Sequence, residues 1–415
     1  MSTAFDVICI GIFFTLAAIY YIWRQGGKET PFTVTEEKSK DDKFITDPSP
    51  LHSLFPEMLD TYKGERDHIY VNKVLRQPYH QTMSHQPMNV NDWIEIDADY
   101  KQDLQAKQRL IQTQGKVVLD LIDDDKVRLG CQELMEHVCD WITKRYPNLF
   151  QWQSSSTILN KVTGESMSLI DSSTEKLKSG TEALRVVSNL VQDDFLIASP
   201  LPDGHWLCAG GLVCFPGFYL LSEKIGTTLF ATHKPVPQFN EKILLSVERT
   251  LTRLQPNAPI ERTSWEVVDS KEDQFWVPMA GPLPTSTGAK PMYPHHTTGR
   301  DVDATKYEDA SKLILRLDHQ TFSKMPKSGI IFFGIHPFRR QMSDLRHSPL
   351  LPRLLLEIHR TGPKDLMKYK AAPQYEASVI PYLQELDRWQ TSVGLAKEDD
   401  RVQDFRLCKD RKAEL

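Results

Sequence analysis

Three histidines, His233, His319 and His336, stand at the ends of strand-like or loop segments. Imidazole can serve both as a metal ligand and as a proton carrier near neutrality. His233 is the most constrained of the three. It lies in "EKIGTTLFATHKPVP", Glu223 to Pro237, where Pro235 and Pro237 fix φ and remove backbone donors. A histidine held this way has a set direction, which suits either an ordinary loop or a ring aimed at a metal. Arg262 and Arg316 fall in neighbouring strand candidates, and Trp265 follows the first. Plainer readings exist for both. Arg316 in "LILRLD" can pair with Asp318, and Arg262 can form a weak surface pair with Glu261. Other chemistries are not written in the chain. It has no G-x-G-x-x-G after a strand, no G-x-x-x-x-G-K-[ST], no G-x-S-x-G and no H-E-x-x-H. Its six cysteines form no C-x-x-C pair, which argues against a zinc ribbon, a thioredoxin-type site or an iron–sulfur cluster.

The elements that must position these groups are mixed. From Leu51 to Phe150 the pattern is largely helical. In "DDDKVRLGCQELMEHVCDWITKRYP", Val127, Cys131, Leu134, Met135, Val138, Trp141 and Ile142 recur at helical spacing, aspartates crowd the start and Pro147 follows. The middle reads as strands: "DDFLIASP", "HWLCAGGLVCFPGF", "IERTSWEVVDS", "KLILRLD" and "GIIFFGIHPF". Gly210 and Gly211 inside the second predict a bulge or a close approach by another group. Phe239 to Leu254 predicts one amphipathic helix, and Gly281 to Asp303 a long surface loop. After His347, "PLLPRLLLEIHR" and "IPYLQELDRWQ" are helical. The expected class is α+β, an antiparallel sheet flanked by helices from both ends of the chain.

With 415 residues, 25% charged and 40% hydrophobic, the bulk is an ordinary globular protein. A net charge of −5 without a basic block argues against nucleic acid as a partner. Scattered cysteines and the absence of an N-glycosylation sequon agree with a reducing compartment. "VICIGIFFTLAAIYYIW", residues 7–23, carries no charge and ends in an aromatic belt. No basic segment precedes it and no A-x-A site follows, so it reads as an uncleaved single-span anchor rather than a signal peptide. Asp6 before it, with Arg24 and Lys28 after it, places the body on the cytoplasmic side, with the endoplasmic reticulum as the expected membrane. The terminal "KAEL" resembles a lumenal retrieval signal and would require the opposite topology. The expected organisation is an anchor over 1–25, a polar tether over 26–50, a body over 51–395 and a charged tail over 396–415.

One ordered set of motifs resembles a known family. "EKIG…THKPVP", the helix ending "RLQPNAPIERTSWEV", and "LRLDHQTFSKMPKSGIIFFGIHP" are together similar to the haem-dependent oxidative N-demethylase-like family, closest to a fungal branch called the HRQ family. The resemblance spans roughly residues 55 to 395. It rests on Lys224, Ile225, Gly226, His233, Pro235, Pro237, Arg316, Asp318, Gln320, Thr321 and Pro326. The chain departs from bacterial members at Asp318 and His319, where they carry Glu-Arg, and at His336, where they tend to carry Arg.

The resemblance implies a PAS-like curved sheet embedded in helices and binding haem b. It implies a haem-dependent oxidoreductase of monooxygenase type, using O2 on a small organic substrate. Oxidation of an amine at its N-methyl carbon and a tailoring step in fungal secondary metabolism are the specific forms. Electrons would come from a separate reductase. Under this reading His233 is the axial metal ligand, with His319 and His336 as rivals for that place or as catalytic groups beside bound O2. Lys224, Arg262 and Arg316 are the candidates for the haem propionates. Leu229, Phe230, Trp265 and Phe332 are the expected apolar walls. The alternative is a non-catalytic PAS-like haem or ligand sensor, or a scaffold at a membrane.

Overall fold

The structure is a computed structural model that describes residues 47–62, 75, 77–217, 219–268 and 309–403. The expected anchor over 7–23, and the loop Gly281–Asp303, lie outside the described residues. Among the described residues no helix is long and apolar enough to cross a membrane. The last tether residues are pinned to the body: Ser49 N donates to Asn91 Oδ1 at 2.6 Å, and Arg145 donates to Ser49 O at 2.7 Å. The start of the tail also packs back, burying Ala396 and Val402.

The chain is α+β. Its strands are β1 (Gln86–Pro87), β2 (Leu119–Leu121), β3 (Phe150–Ser154), β4 (Thr157–Asn160), β5 (Glu165–Ser168), β6 (Ile170–Asp171) and β7 (Lys176–Leu177), followed by β8 (Asp194–Pro200), β9 (Trp206–Leu212), β10 (Ile260–Val268), β11 (Ile314–Lys324) and β12 (Ile331–Gln341). Seven of them form one antiparallel sheet in the order β1-β10-β11-β12-β8-β9-β2. Strands β3 to β5 make a small separate sheet, and β6 and β7 a ribbon.

The long helix Asp125–Arg145 forms as its pattern predicts. Asp124 caps it by accepting from Val127 N at 3.0 Å, Lys144 and Arg145 sit in its last turn, and its apolar stripe is buried. The carboxy-terminal helices Leu351–Thr361 and Ala372–Ser392 pack together. The fully buried Gln390 amide holds them to the preceding turn, accepting from Leu350 N and donating to Leu345 O, Arg346 O and Ser348 O.

Two local expectations resolve differently. Phe239 to Leu254 is two helices, Phe239–Lys242 and Leu244–Arg253, because the backbone leaves helical geometry at Ile243. Their apolar residues do not join the main core. Phe239, Ile243, Val247 and Leu251 cluster instead with Trp206, Met83 and Ile331 as a second, smaller core. The glycine pair behaves as expected. A Cβ at Gly210 would lie 2.3 Å from Asp120 O and one at Gly211 2.2 Å from Phe195 O, so only glycine lets β9 fit between β2 and β8.

Registration of β10, β11 and β12 positions the candidate site. Arg262 faces Gln320, Ser264 faces Asp318, Glu266 faces Arg316 and Thr263 faces His319. His319 in turn faces His336. Side chains alternate across a strand, so this pairing sends the even-numbered residues of β10 and β11 to one face and the odd-numbered to the other.

Candidate functional site

A cavity of about 290 Å³ lies against the even-numbered face. Its floor is Arg262, Ser264 and Glu266 from β10, Arg316, Asp318, Gln320 and Phe322 from β11, and Ile331, Phe333 and Ile335 from β12. Leu229, His233, Val236, Phe239, Val247 and Leu251 form the opposite wall, and Tyr79, Tyr219, Tyr369 and Lys370 are among the other residues that line it. The small second core thus roofs the cavity with the segment that carries His233.

His233 ends the short helix Leu229–Thr232, which Thr228 caps by accepting from Ala231 N. Its ring stacks on Phe239, centroids 4.0 Å apart and planes 9° from parallel. Nδ1 lies 3.0 Å from Leu229 O. A carbonyl only accepts, so Nδ1 carries the proton and Nε2 holds the lone pair. Burial pushes the ring's pKa down to about 4; the Leu229 carbonyl opposes this, and the nearby charges of Lys224 and Arg262 add to it. The imidazole is therefore neutral at neutral pH. Among the described residues Nε2 has no partner. That tautomer and orientation are what a metal-ligating histidine needs.

The cations divide into two kinds. Arg316 is internally satisfied. Its Nε donates to Asp318 Oδ1 at 2.8 Å and sits 3.4 Å from Glu266 Oε1, while its terminal nitrogens donate to Phe215 O at 2.8 Å and Pro216 O at 3.1 Å. Of its two expected roles, propionate partner or pair with Asp318, the structure forms the pair and commits the guanidinium to the protein. Arg262 is the opposite case. It lines the cavity, its Nε is buried without a hydrogen-bond partner, and no ion pair holds it among the described residues. Its sequence neighbour Glu261 points to the other face and meets His319, so the surface pair suggested by their adjacency does not form. Burial depresses its pKa, against partial support from Tyr79, Tyr369 and Asp318. Lys224 also lines the cavity, donating to Thr232 O at 2.8 Å over the Tyr219 ring, and burial lowers its pKa.

His319 and His336, expected beside the cavity, lie on the opposite face of the sheet. The reason is parity: His319 alternates with Asp318 and Gln320, and its partner His336 with Ile335. Each is buried between two carboxylates. His319 Nδ1 is 3.0 Å from Glu95 Oε1 and Nε2 is 2.9 Å from Glu261 Oε2. His336 Nδ1 is 3.3 Å from Asp193 Oδ2 and Nε2 is 3.5 Å from Asp97 Oδ2. Burial opposes charge on His336, but the two aspartates outweigh it and raise its pKa to about 10. Asp97 is the converse: burial opposes its ionisation, yet His336, Gln192 and Arg339 bring it down to about 2. The wall assignments also divide. Leu229 and Trp265 line the cavity, whereas Phe230 is 55% exposed and Phe332 is buried on the far face against Phe195.

The model of one family, haem-dependent oxidative N-demethylase, alpha subunit-like, matches residues 84–380, more than half of the chain. The chain belongs to that family. Membership makes it haem-dependent and oxidative in type, and the matched span contains all of β8 to β12 and the cavity lining apart from Tyr79 to Met83.

Several site residues of this N-demethylase-like chain escape sequence reasoning. Glu266 shares strand parity with Arg262, a signal that was available. Its carboxyl is pushed well up by burial, against the opposing pull of Arg316. Lys370, from the helical carboxy-terminal region, and Tyr79, from before the sheet, carry no local signal. The acidic run "EIDAD", with carboxylates at 95, 97 and 99, was also readable. Its alternation matches His319, His336 and Arg339, which pair with Glu95, Asp97 and Asp99.

Proposed function

We propose that the cavity holds haem b, with His233 Nε2 as the ligand to iron and with Lys224 and Arg262 beside the propionates. One observation carries this reading: Leu229 O fixes the His233 tautomer, and among the described residues the Nε2 lone pair has no protein partner at the cavity wall. The orphaned Arg262 Nε supports it, since a buried guanidinium lacking its acceptor fits an arriving carboxylate. Haem, once bound, supplies dioxygen binding and the oxidising power.

The chain's own residues do the rest. Phe239 holds the His233 ring by stacking, and the Leu229–Thr232 helix holds its direction. Leu229, Val236, Phe239 and the floor residues Phe322, Phe333 and Ile335 keep the site apolar and exclude water. Glu266, Asp318 and Gln320 present polar groups on the same floor for a substrate's polar end. The substrate is a small organic molecule, an amine oxidised at its N-methyl carbon, and the electrons come from a separate reductase. Residues 7–23 tether the protein to the endoplasmic reticulum membrane with the body in the cytoplasm, and the reaction serves as a tailoring oxidation in fungal secondary metabolism. His319 and His336 act as structural centres under the sheet.

The test is oxygen consumption by the haem-loaded protein with a reductase, scanned across small methylated amines. Substrate-dependent uptake with release of the demethylated amine is the expected result. Haem binding without any substrate-dependent uptake would leave a sensor and overturn the enzymatic reading.

A further inference from the structure

Among the described residues two lysines are buried, and they differ in a way that points to chemistry. Lys107 is completely buried and saturated. Its Nζ reaches the carbonyls of Val191, Gln192 and Asp193 and lies 3.3 Å from Asp194 Oδ1. Lys370 is 9% exposed and lines the cavity. Its Nζ donates to a single acceptor, Trp265 O at 2.5 Å, and sits 4.8 Å above the Trp265 ring. No carboxylate lies within ion-pair distance of it among the described residues. The charged and titratable groups facing it are Glu266 and Arg262 from β10 and Asp318 from β11.

We propose that Lys370 is an amine nucleophile that captures small aldehydes or ketones entering the cavity as a Schiff base. An amine becomes nucleophilic when an apolar pocket favours its neutral form. Burial supplies that bias here, with Arg262 adding to it and Glu266 and Asp318 opposing it. In the reaction the Lys370 nitrogen bonds to the carbonyl carbon as the C=O π bond opens. Nitrogen loses its protons, the oxygen gains them and leaves as water, and the product is an imine. Glu266, whose carboxyl burial pushes up against the opposing charge of Arg316 3.4 Å from its Oε1, can deliver a proton to the departing oxygen and take it back. No oxidant or reductant is consumed. The inference does not depend on which cofactor the cavity holds.

The experiment uses the full chain, propionaldehyde in slight excess, and cyanoborohydride to reduce the imine to a stable secondary amine. Peptide mapping locates the adduct. Lys364 and Lys368 are exposed on the same stretch and serve as internal comparators. Lys370 should label at least about tenfold faster than either, because the cavity favours its neutral, nucleophilic form and gathers the carbonyl beside it. Lys370→Met should lose that adduct alone, and Glu266→Gln should slow its formation. Should Lys370→Met fail to fold, the wild-type map still decides. Adducts on Lys364 and Lys368 with Lys370 unmodified, or Lys370 modified only after denaturation, would overturn the proposal.

Discussion

The two faces of β10–β11–β12 carry similar residue types and treat them in opposite ways. Under the sheet, His319 and His336 each lie between two carboxylates. Above it, among the described residues, His233 offers an unpartnered Nε2 and Arg262 an unpartnered Nε. Charges closed on each other stabilise a fold or define its register. Polar groups left open inside a protein cost free energy, and proteins keep them where a ligand completes them. Histidine type alone therefore says little; the number of acceptors around the ring separates structural from functional candidates.

The sharpest way to break this contrast is to truncate both kinds of histidine. His336→Ala leaves Asp97 and Asp193 buried without their cation, a loss of about 3–5 kcal/mol for a broken buried pair. Urea unfolding should show it as a large drop in midpoint. His233→Ala removes a ring held by one hydrogen bond to a local carbonyl and by its stack on Phe239, and should lower stability by only about 1–2 kcal/mol. Equal losses in the two variants would erase the distinction.

The pH dependence of stability sharpens the same point. His336 is raised from 6.5 to about 10 in the folded state. Its contribution is fully present below the unfolded value and is lost as pH rises through 10. Asp97, depressed to about 2, contributes above its unfolded value and loses that contribution as pH falls through 2. The ladder under the sheet should therefore be strongest between about pH 4 and 6.5. His336→Gln should flatten the alkaline limb of a stability profile. An unchanged limb would mean that the ring is neutral in the native protein.

A smaller effect separates the two arginines. Arg316→Ala uncovers Asp318 and Glu266 and should destabilise the fold. Arg262→Ala removes an orphaned group, so stability should stay within about 1 kcal/mol while haem dissociates faster. Haem retention on a desalting column and thermal melting read the two outcomes separately. Destabilisation by Arg262→Ala with unchanged haem retention would make it a structural residue.

How much of this was readable follows from range. The helix Asp125–Arg145, strands β8 to β12 and the glycine pair were legible because periodicity, caps and breakers are local. His233 was legible through the two prolines beside it. The faces of His319 and His336 were not. Parity within β11 was visible, but which parity meets the cavity depends on what covers each face, and that is a long-range fact. Arg316 looked available because its acceptors Phe215 O and Pro216 O lie about a hundred residues away. Lys370 arrives from another part of the chain altogether. The break at Ile243 was hidden by an apolar stripe that continues across it.

The central claim is that His233 is the ligand, and the absorption spectrum of His233→Ala tests it most directly. The wild-type protein, purified with added haem, should show a stoichiometric Soret band. His233→Ala should lose or shift that band and regain it with added imidazole, whereas His319→Gln and His336→Gln keep the wild-type spectrum. Full haem content with an unaltered spectrum in His233→Ala would contradict the account.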